Sequence, residues 1–360
     1  MFELPEISRF LSRRVALYEF SRGGVSLRYT SAAQEITVGG QVFLPARGIT
    51  HGAIRESGGS VSKNQVTITA PYLLDATAPE FPVTQELGNW WRPFPPSQRV
   101  LVRIMSMHLG DPDAEVVTQW LGRVVGPSYS KSTVKLTCDP SYRSGRMSGS
   151  IPRMQRGCGV ALYSQGLGMC NLNPQPLPVQ GTVTAIDGDD VTLQFAQPPA
   201  RPLDVRWPVE WTDADDEPRT AQMVSIAGNV LTLDDTAHLA VGDVLTVYTE
   251  PLWTSATLTG VDGLALTAPE FAASAKPLAG GLIEWTRPGG LVETRSIMAH
   301  QDDTVRVQYG APDLQPGLEV RAYFGCAHNL DACRSHGNEV NYPGWVHLPS
   351  EDPMARSQAW

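Results

Sequence analysis

Four of the five cysteines in this 360-residue chain fall into two pairs that lie far apart in the sequence. Cys158 and Cys170 are separated by eleven residues, and Cys326 and Cys333 are separated by six. Both pairs lie in stretches that lack the periodicity of a helix or a strand. We predict that the four thiols converge on one metal or iron–sulfur centre, so the fold must bring the second pair back to the first.

The spacing of the cysteines leaves three kinds of site open. Thiolates are soft ligands that select zinc or iron–sulfur clusters. Structural zinc is usually held by cysteines about two to four residues apart, which these spacings match poorly. A cluster is larger and accepts ligands from more varied loops, so the spacing favours iron–sulfur only slightly over zinc. Disulfides require an oxidising compartment, and the absence of a recognisable secretory signal predicts that the chain is made in a cytoplasm.

Most of the remaining sequence alternates apolar and polar residues with the period of a β-strand. Gly (33) and Pro (29) are frequent, and turn-forming residues at this density divide a chain into short elements. Hairpins are predicted over residues 15–29 and 35–44, each turning at a Gly-Gly pair. A short helix is predicted over 5–13. The pattern as a whole predicts an all-β fold of antiparallel barrels or sandwiches.

Domain boundaries follow from the places where this pattern is interrupted. We predict four segments: an N-terminal β domain (1–145), a first cysteine segment with a Pro-rich linker (146–179), an inserted small β-barrel region (180–320) and a C-terminal cysteine segment (321–360). Within the third segment, similar strand–turn–strand stretches recur at 183–193, 224–233 and 258–267. They indicate the hairpins of one or two small barrels better than a long repeat array.

The fifth cysteine and three histidines are the other candidates for metal chemistry. Cys138 directly follows the predicted strand at 133–137, which is typical of a small buried hydrophobic residue. His328, His336 and His347 lie near the second pair and could bind zinc. Loop histidines are more often exposed to solvent or hydrogen-bonded to a metal ligand than bound to the metal themselves.

Charge and hydropathy exclude two classes of partner. The net charge is −9 and no basic run is longer than Arg13-Arg14, so nucleic acid is not expected to be the main ligand. No stretch approaches the roughly 20 apolar residues of a membrane-spanning helix, so no membrane span is predicted.

The residues around the cysteines resemble a known family. The first cysteine segment reads QRGC at 155–158, ALY at 161–163 and GMC at 168–170. The second reads FGC at 324–326, CR at 333–334 and NYPGWVHLP at 341–349, while LYEF at 17–20 and GQVF at 40–43 match the family's first domain. These motifs resemble the baseplate hub, or tail-tip, proteins of tailed phages and gene transfer agents, similar in role to the lambda tail-tip protein L. One departure is the order GMC, where the family more commonly has Cys-Gly.

The resemblance implies a β-barrel hub protein in the virion, at the end of a siphophage-type tail tube. It implies that Cys158, Cys170, Cys326 and Cys333 hold a [4Fe–4S] cluster, with structural zinc as the alternative. It also implies a homotrimer whose partners are the distal tail protein, the central spike or tail-fibre hub protein, and the tape-measure protein. The expected role is structural: the protein closes the tail tube, and the centre acts as a clamp.

No enzyme is expected, because no hydrolase, zinc-protease, P-loop or Rossmann motif is present. Acidic groups at 187–190, 213–217 and 302–303 are typical of solvated turns. Two alternatives stay open, a tail-associated cell-wall-degrading protein and a carbohydrate-binding module. The second would stack sugars on tryptophans that are more often buried, namely Trp207, Trp211, Trp253 and Trp285.

Overall fold

A computed structural model describes residues 13–54, 64–109, 111, 115–141 and 155–348. Strands make up 44% and helices 6%, which confirms the predicted all-β class. The helix predicted over 5–13 lies outside the described residues except at its last position. None of the helices in the described ranges is long and apolar enough to cross a membrane.

The N-terminal part forms a nine-stranded sheet in the order β3-β4-β2-β1-β7-β8-β9-β6-β5. Its neighbours are antiparallel except β2 and β4, which pair in parallel. The predicted hairpins at 15–29 and 35–44 are both present in it. The strands are β1 (Arg14–Arg22), β2 (Val25–Thr30), β3 (Ile36–Val38), β4 (Gln41–Pro45), β5 (Thr50–His51), β6 (Val66–Pro71), β7 (Leu101–His108), β8 (Val117–Tyr129) and β9 (Thr133–Pro140), with helix α1 (Gln85–Asn89) between β6 and β7.

Strand β1 is buried on both of its faces. Tyr18 and Phe20 point into the main core of this sheet, whereas Val15 and Leu17 pack into a smaller cluster with Phe43 of β4. Because side chains alternate along a strand, a strand covered on both sides is a continuous apolar run. This explains why β1 occupies an interior position of the sheet.

The middle of the chain forms a closed barrel in the order β10-β11-β14-β13-β12-β15. The hairpins predicted at 183–193 and 224–233 are β10–β11 and β13–β14, and they turn at Gly188 and Gly228, whose φ angles are 64° and 66°. Alternate residues of these strands fill the interior. The strands are β10 (Pro178–Asp187), β11 (Asp190–Phe195), β12 (Pro208–Thr212), β13 (Pro218–Ala227), β14 (Val230–Leu233) and β15 (Val244–Tyr248).

A seven-stranded sheet follows, in the order β16-β22-β19-β20-β21-β18-β17. The third predicted hairpin, at 258–267, is β17–β18. The strands are β16 (Trp253–Thr257), β17 (Gly260–Asp262), β18 (Ala265–Thr267), β19 (Leu282–Thr286), β20 (Val292–Gln301), β21 (Thr304–Val307) and β22 (Glu319–Tyr323). Short helices accompany and follow them: α2 (Pro269–Ala272), α3 (Leu330–Ser335) and a 3₁₀ helix (Glu339–Asn341).

Two compact units divide the chain. The first unit comprises 1–151 together with 284–295 and 309–315, and the second comprises 152–283, 296–308 and 316–360. All four paired cysteines belong to the second unit. The first unit is thus assembled from three separate stretches of sequence.

Candidate metal centre

The four paired cysteines lie in irregular structure and on one short helix. Cys158 and Cys170 are in a loop without regular secondary structure, Cys326 follows the end of β22, and Cys333 is on α3. All four are free thiols and partly exposed to solvent. The Asn329 side chain caps α3 by accepting a hydrogen bond from the Ala332 amide at 2.8 Å, which fixes the helix that carries Cys333.

The backbone of His328 links Cys158 to Cys326. Its carbonyl accepts a hydrogen bond from the Cys158 amide at 2.7 Å, and its own amide donates to the Cys326 sulfur at 3.4 Å. The φ angle of His328 is +55°, a left-handed conformation that places both groups for this double contact. One cysteine of each pair is therefore held at this residue.

Asn338 links the other two cysteines. Its side-chain amide donates to the Cys170 carbonyl at 2.7 Å and lies 3.6 Å from the Cys170 sulfur. Its backbone carbonyl accepts from the Cys333 thiol at 3.0 Å. The predicted return of the second pair to the first is thus present as two pairwise bridges.

Further hydrogen bonds join the two cysteine segments around the thiols. The Tyr163 hydroxyl donates to the Phe324 carbonyl at 2.7 Å. The Trp345 amide donates to the Gln155 carbonyl at 2.9 Å. Because each partner lies more than 150 positions away in sequence, these bonds define one structural site built from both ends of the second unit.

The thiols are close enough to influence each other's ionisation. Burial, reinforced by the charges of Cys326, Cys170 and Cys158, raises the pKa of Cys333 to about 11. Burial also raises the pKa of Cys326, with contributions from Cys158 and Cys170 and an opposing one from the His328 amide. A bound metal would supply the positive charge that thiolates need.

In the described part of the chain, no three His, Cys, Asp or Glu side chains are placed so that they could hold one metal ion. A tetrahedral zinc site would require sulfurs about 3.8 Å apart, given a Zn–S bond of about 2.3 Å. An iron–sulfur cluster would instead bind its four cysteines through different irons.

Within the described residues, none of the three candidate histidines has a side-chain hydrogen bond to a thiol. His336 is buried, and its Nε2 donates to the Gly325 carbonyl at 2.9 Å. His347 is exposed, and the contacts of His328 described above are made by its backbone. The buried Nδ1 of His336 has no hydrogen-bond partner among the residues that the structure describes, so the positions of the histidines do not decide between four cysteine ligands and a mixed cysteine–histidine site.

Gly325, next to Cys326, leaves no room for a side chain. A Cβ at this position would clash with the carbonyl of Ala279 and lie 3.0 Å from the Gly281 nitrogen. The Gly325 amide also donates to the Pro277 carbonyl at 2.8 Å. The two backbones are therefore in direct contact beside the thiol.

We expect Gly325→Ala to destabilise the protein by about 1–3 kcal/mol, because the backbone carrying Cys326 must move away from residues 279–281. Thermal unfolding measures the effect. Gly126→Ala is the control, since a Cβ there meets no atom within 4 Å. Equal stability of the two variants would contradict the close approach.

Cys138 lies apart from this site, in the core of the first unit, as predicted. Burial raises the pKa of its thiol to about 12. At pH 8 only about one molecule in ten thousand would carry the reactive thiolate.

We therefore expect iodoacetamide to modify the four paired cysteines of the folded, metal-free protein and to reach Cys138 only after unfolding. Peptide mass spectrometry resolves the five sites. Modification of Cys138 at the rate of Cys170 under native conditions would contradict its burial.

Three of the tryptophans and one of the acidic turns considered for other functions have structural contacts. Trp211, Trp253 and Trp285 are buried, and Trp253 has Arg206 and Arg321 within 6 Å of its ring centroid. In the turn after β12, Asp213 accepts hydrogen bonds from the amides of residues 215 and 217. Such contacts are typical of core aromatics and of turn-stabilising carboxylates.

Sequence reasoning found the four cysteines and missed the residues that bring them together. Asn338 and Tyr163 act through partners on the opposite segment. Tyr163 belongs to the ALY motif at 161–163, which gave it no role, and no local pattern marks Asn338. The only available signal for Asn338 was its position shortly after Cys333 in a segment rich in polar residues.

Comparison with known proteins places the second cysteine segment in context. Residues 277–352, which include Cys326 and Cys333, match the family described as phage conserved hypothetical protein BR0599. An uncharacterised protein of Xylella fastidiosa (strain 9a5c) is 27% identical over 484 aligned positions, covering 100% of this chain and 99% of that protein.

Among solved structures, a chain from the virion of a native gene transfer agent particle aligns over 96% of this chain and 91% of its own length. The identity is 13% and the TM-score 0.39, which does not establish a shared fold. The segment that supplies two of the four thiols is thus similar to a phage protein family.

Proposed function

We propose that this chain is a structural protein of a phage-type virion, placed at the tail tip, in which four cysteines hold an iron–sulfur cluster as a clamp. The observation that carries the proposal is the pairwise bridging of Cys158 to Cys326 and of Cys170 to Cys333. The similarity of residues 277–352 to a phage family supports the virion setting.

The clamp would act by joining the two ends of the second unit. The barrel and all seven strands of the second sheet lie between Cys170 and Cys326. Cross-linking a loop of this length removes about 5 kcal/mol of chain entropy from the unfolded state. A centre bound only by the folded protein therefore stabilises the fold, because its binding free energy becomes folding free energy.

In this proposal Cys158, Cys170, Cys326 and Cys333 are the ligands, and the bound cluster supplies a rigid, charge-compensated cross-link. The chain's own residues exclude solvent and orient the sulfurs: His328 and Asn338 position them, while Tyr163 ties the loop to the end of β22. Structural zinc is the alternative occupant.

The proposed partners are those of a tail tip. A homotrimer would contact the distal tail protein on one side and the central spike or tail-fibre hub protein on the other, with the tape-measure protein inside the tube. Closed cyclic symmetry is the ordinary arrangement for such a ring.

A non-enzymatic role is part of the proposal. A cavity of about 890 Å³ lies on the barrel, lined by residues such as Phe195, Arg201 and Asn229. The Arg201 guanidinium already donates to the carbonyls of residues 173, 175 and 250, and Asn229 donates to that of residue 193. These polar groups stabilise loops and offer no acid–base pair.

The test is anaerobic purification of the full chain, with absorption spectra and iron, sulfide and zinc analysis. We expect a broad visible absorbance and about four irons per chain. Immunolabelling of virions should mark the tail tip. A colourless protein with one zinc, label on the capsid alone, or clearing of a peptidoglycan gel would each overturn the corresponding part of the proposal.

A further inference from the structure

Asn338 is placed unlike an ordinary loop asparagine. Only 8% of it is exposed, in a segment where most neighbours face solvent. It precedes the 3₁₀ helix 339–341 at the N-cap position, where Asn side chains commonly accept a hydrogen bond from the helix backbone. Its side chain makes no capping bond and is directed to Cys170 instead.

Every polar group of Asn338 is engaged, and most of its partners are cysteines. The side-chain nitrogen is shared between the Cys170 carbonyl at 2.7 Å and the Cys170 sulfur at 3.6 Å. The side-chain oxygen accepts from Asn341 at 2.8 Å. The backbone amide and carbonyl both contact Cys333, each at 3.0 Å. One residue thus touches a cysteine from each pair.

We propose that Asn338 is the positioning residue of the four-thiol centre, holding Cys170 beside Cys333 before loading and donating an N–H to the Cys170 sulfur of the loaded centre. The second half of this statement rests on the proposed function. Residues that hydrogen-bond to metal ligands orient them, and hydrogen bonds to cluster sulfurs help to set the reduction potential.

The two bridges of the site differ in how substitution affects them. His328 links its cysteines through the backbone, so most side chains at that position would preserve the contact. Asn338 reaches Cys170 only through its side-chain amide. A substitution at residue 338 therefore removes one specific connection between the segments.

The test compares Asn338→Ala and Asn338→Asp in the full chain. Aspartate preserves size and the oxygen that Asn341 contacts while lacking the N–H donor, which separates hydrogen bonding from packing. Asn229→Ala is the control, because the side-chain amide of this asparagine also donates to a backbone carbonyl, that of Leu193 in the barrel at 3.0 Å.

In the metal-free protein we expect Asn338→Ala to raise the iodoacetamide reactivity of Cys170 about tenfold, the effect of losing one buried hydrogen bond. Asn338→Asp should raise it less, because its carboxylate repels the thiolate that reacts with iodoacetamide. The Asn229 variant should leave that rate unchanged. Unchanged Cys170 reactivity in both Asn338 variants would overturn the positioning role, whether or not the protein binds a cluster.

After reconstitution with ferrous iron and sulfide, the Asn338 variants should lose iron to a chelator about 10–100 times faster than wild type. Their reduction potential should fall, because the lost N–H donor favoured the more negative, reduced form. If wild type takes up no iron, the proposed function fails, while the alkylation rates still decide the positioning role. If wild type is loaded and the variants match it, the role of Asn338 fails alone.

Discussion

Replacing Glu293 by alanine is expected to lower the free energy of unfolding by about 3–5 kcal/mol, since it leaves buried arginines without their counter-charge. The Glu293 carboxylate forms ion pairs with Arg22 and, at 3.0 Å, with Arg295. It also accepts hydrogen bonds from the Ser97 amide at 3.2 Å and hydroxyl at 2.8 Å. All three charged side chains are at most 2% exposed.

The arginines cannot escape to water when the carboxylate is lost. Arg22 is a fully buried side chain of β1, within 6 Å of the Trp90 ring centroid, and Arg295 lies against Tyr309. Burial, followed by repulsion from Arg287 and Arg295, already lowers the pKa of Arg22 to about 10. Removing Glu293 leaves this repulsion without its central opposite charge.

Chemical denaturation of the full chain measures the effect. Glu293→Gln should be intermediate, because the amide still accepts hydrogen bonds and carries no charge. Glu35→Ala, at an exposed position of the first unit, should leave stability nearly unchanged. If Glu293→Ala behaved like Glu35→Ala, the charged cluster would not be closed in solution.

The strands of this protein were predictable because their signals are local. The side chains from Val15 to Phe20 point alternately into two cores. The Gly-Gly turns at 23–24 and 39–40 have the positive φ angles that hairpins require. A strand pattern and its turn lie within about ten residues, so the sequence contains both. The barrel hairpins at Gly188 and Gly228 were found for the same reason.

What could not be predicted depends on partners that lie far apart in sequence. Nothing in the sequence around Glu293 distinguishes it from other acidic residues, and its buried partner Arg22 is 271 positions earlier. Asn338 and Cys170 are 168 positions apart. The approach of the two cysteine segments was an exception, because soft thiol ligands suggest a shared centre even when their separation in the sequence is large. The shared centre itself stays a prediction.

The two clusters also differ in what holds them. The Glu293 carboxylate is paired with protein groups, so this cluster needs no metal to hold it together. The four thiols make fewer hydrogen bonds than their sulfurs could. Burial and repulsion between neighbouring thiolates raise the pKa of Cys326 and of Cys333. In the proposed function, the energetic contribution of the second site depends on a bound cation, whereas that of the first does not.

Substitution of Cys326 by serine is accordingly expected to abolish retention of iron and to lower the free energy of unfolding by several kcal/mol, on the order of 5. A hydroxyl is a poor ligand for soft metals, and three remaining thiols leave one position of the centre unbound. Iron analysis and thermal unfolding of anaerobically purified protein measure both effects. Incorporation of the variant into virion tails should fall with them.

Cys138→Ala is the matched control, because it removes a thiol buried in the core of the first unit. It should lose some stability from the small cavity and should retain iron at the wild-type level. If Cys326→Ser kept wild-type iron, melting temperature and tail incorporation, the four-cysteine clamp would be wrong. If it lost iron yet assembled normally, the centre would be a bound cofactor without the structural role proposed for it.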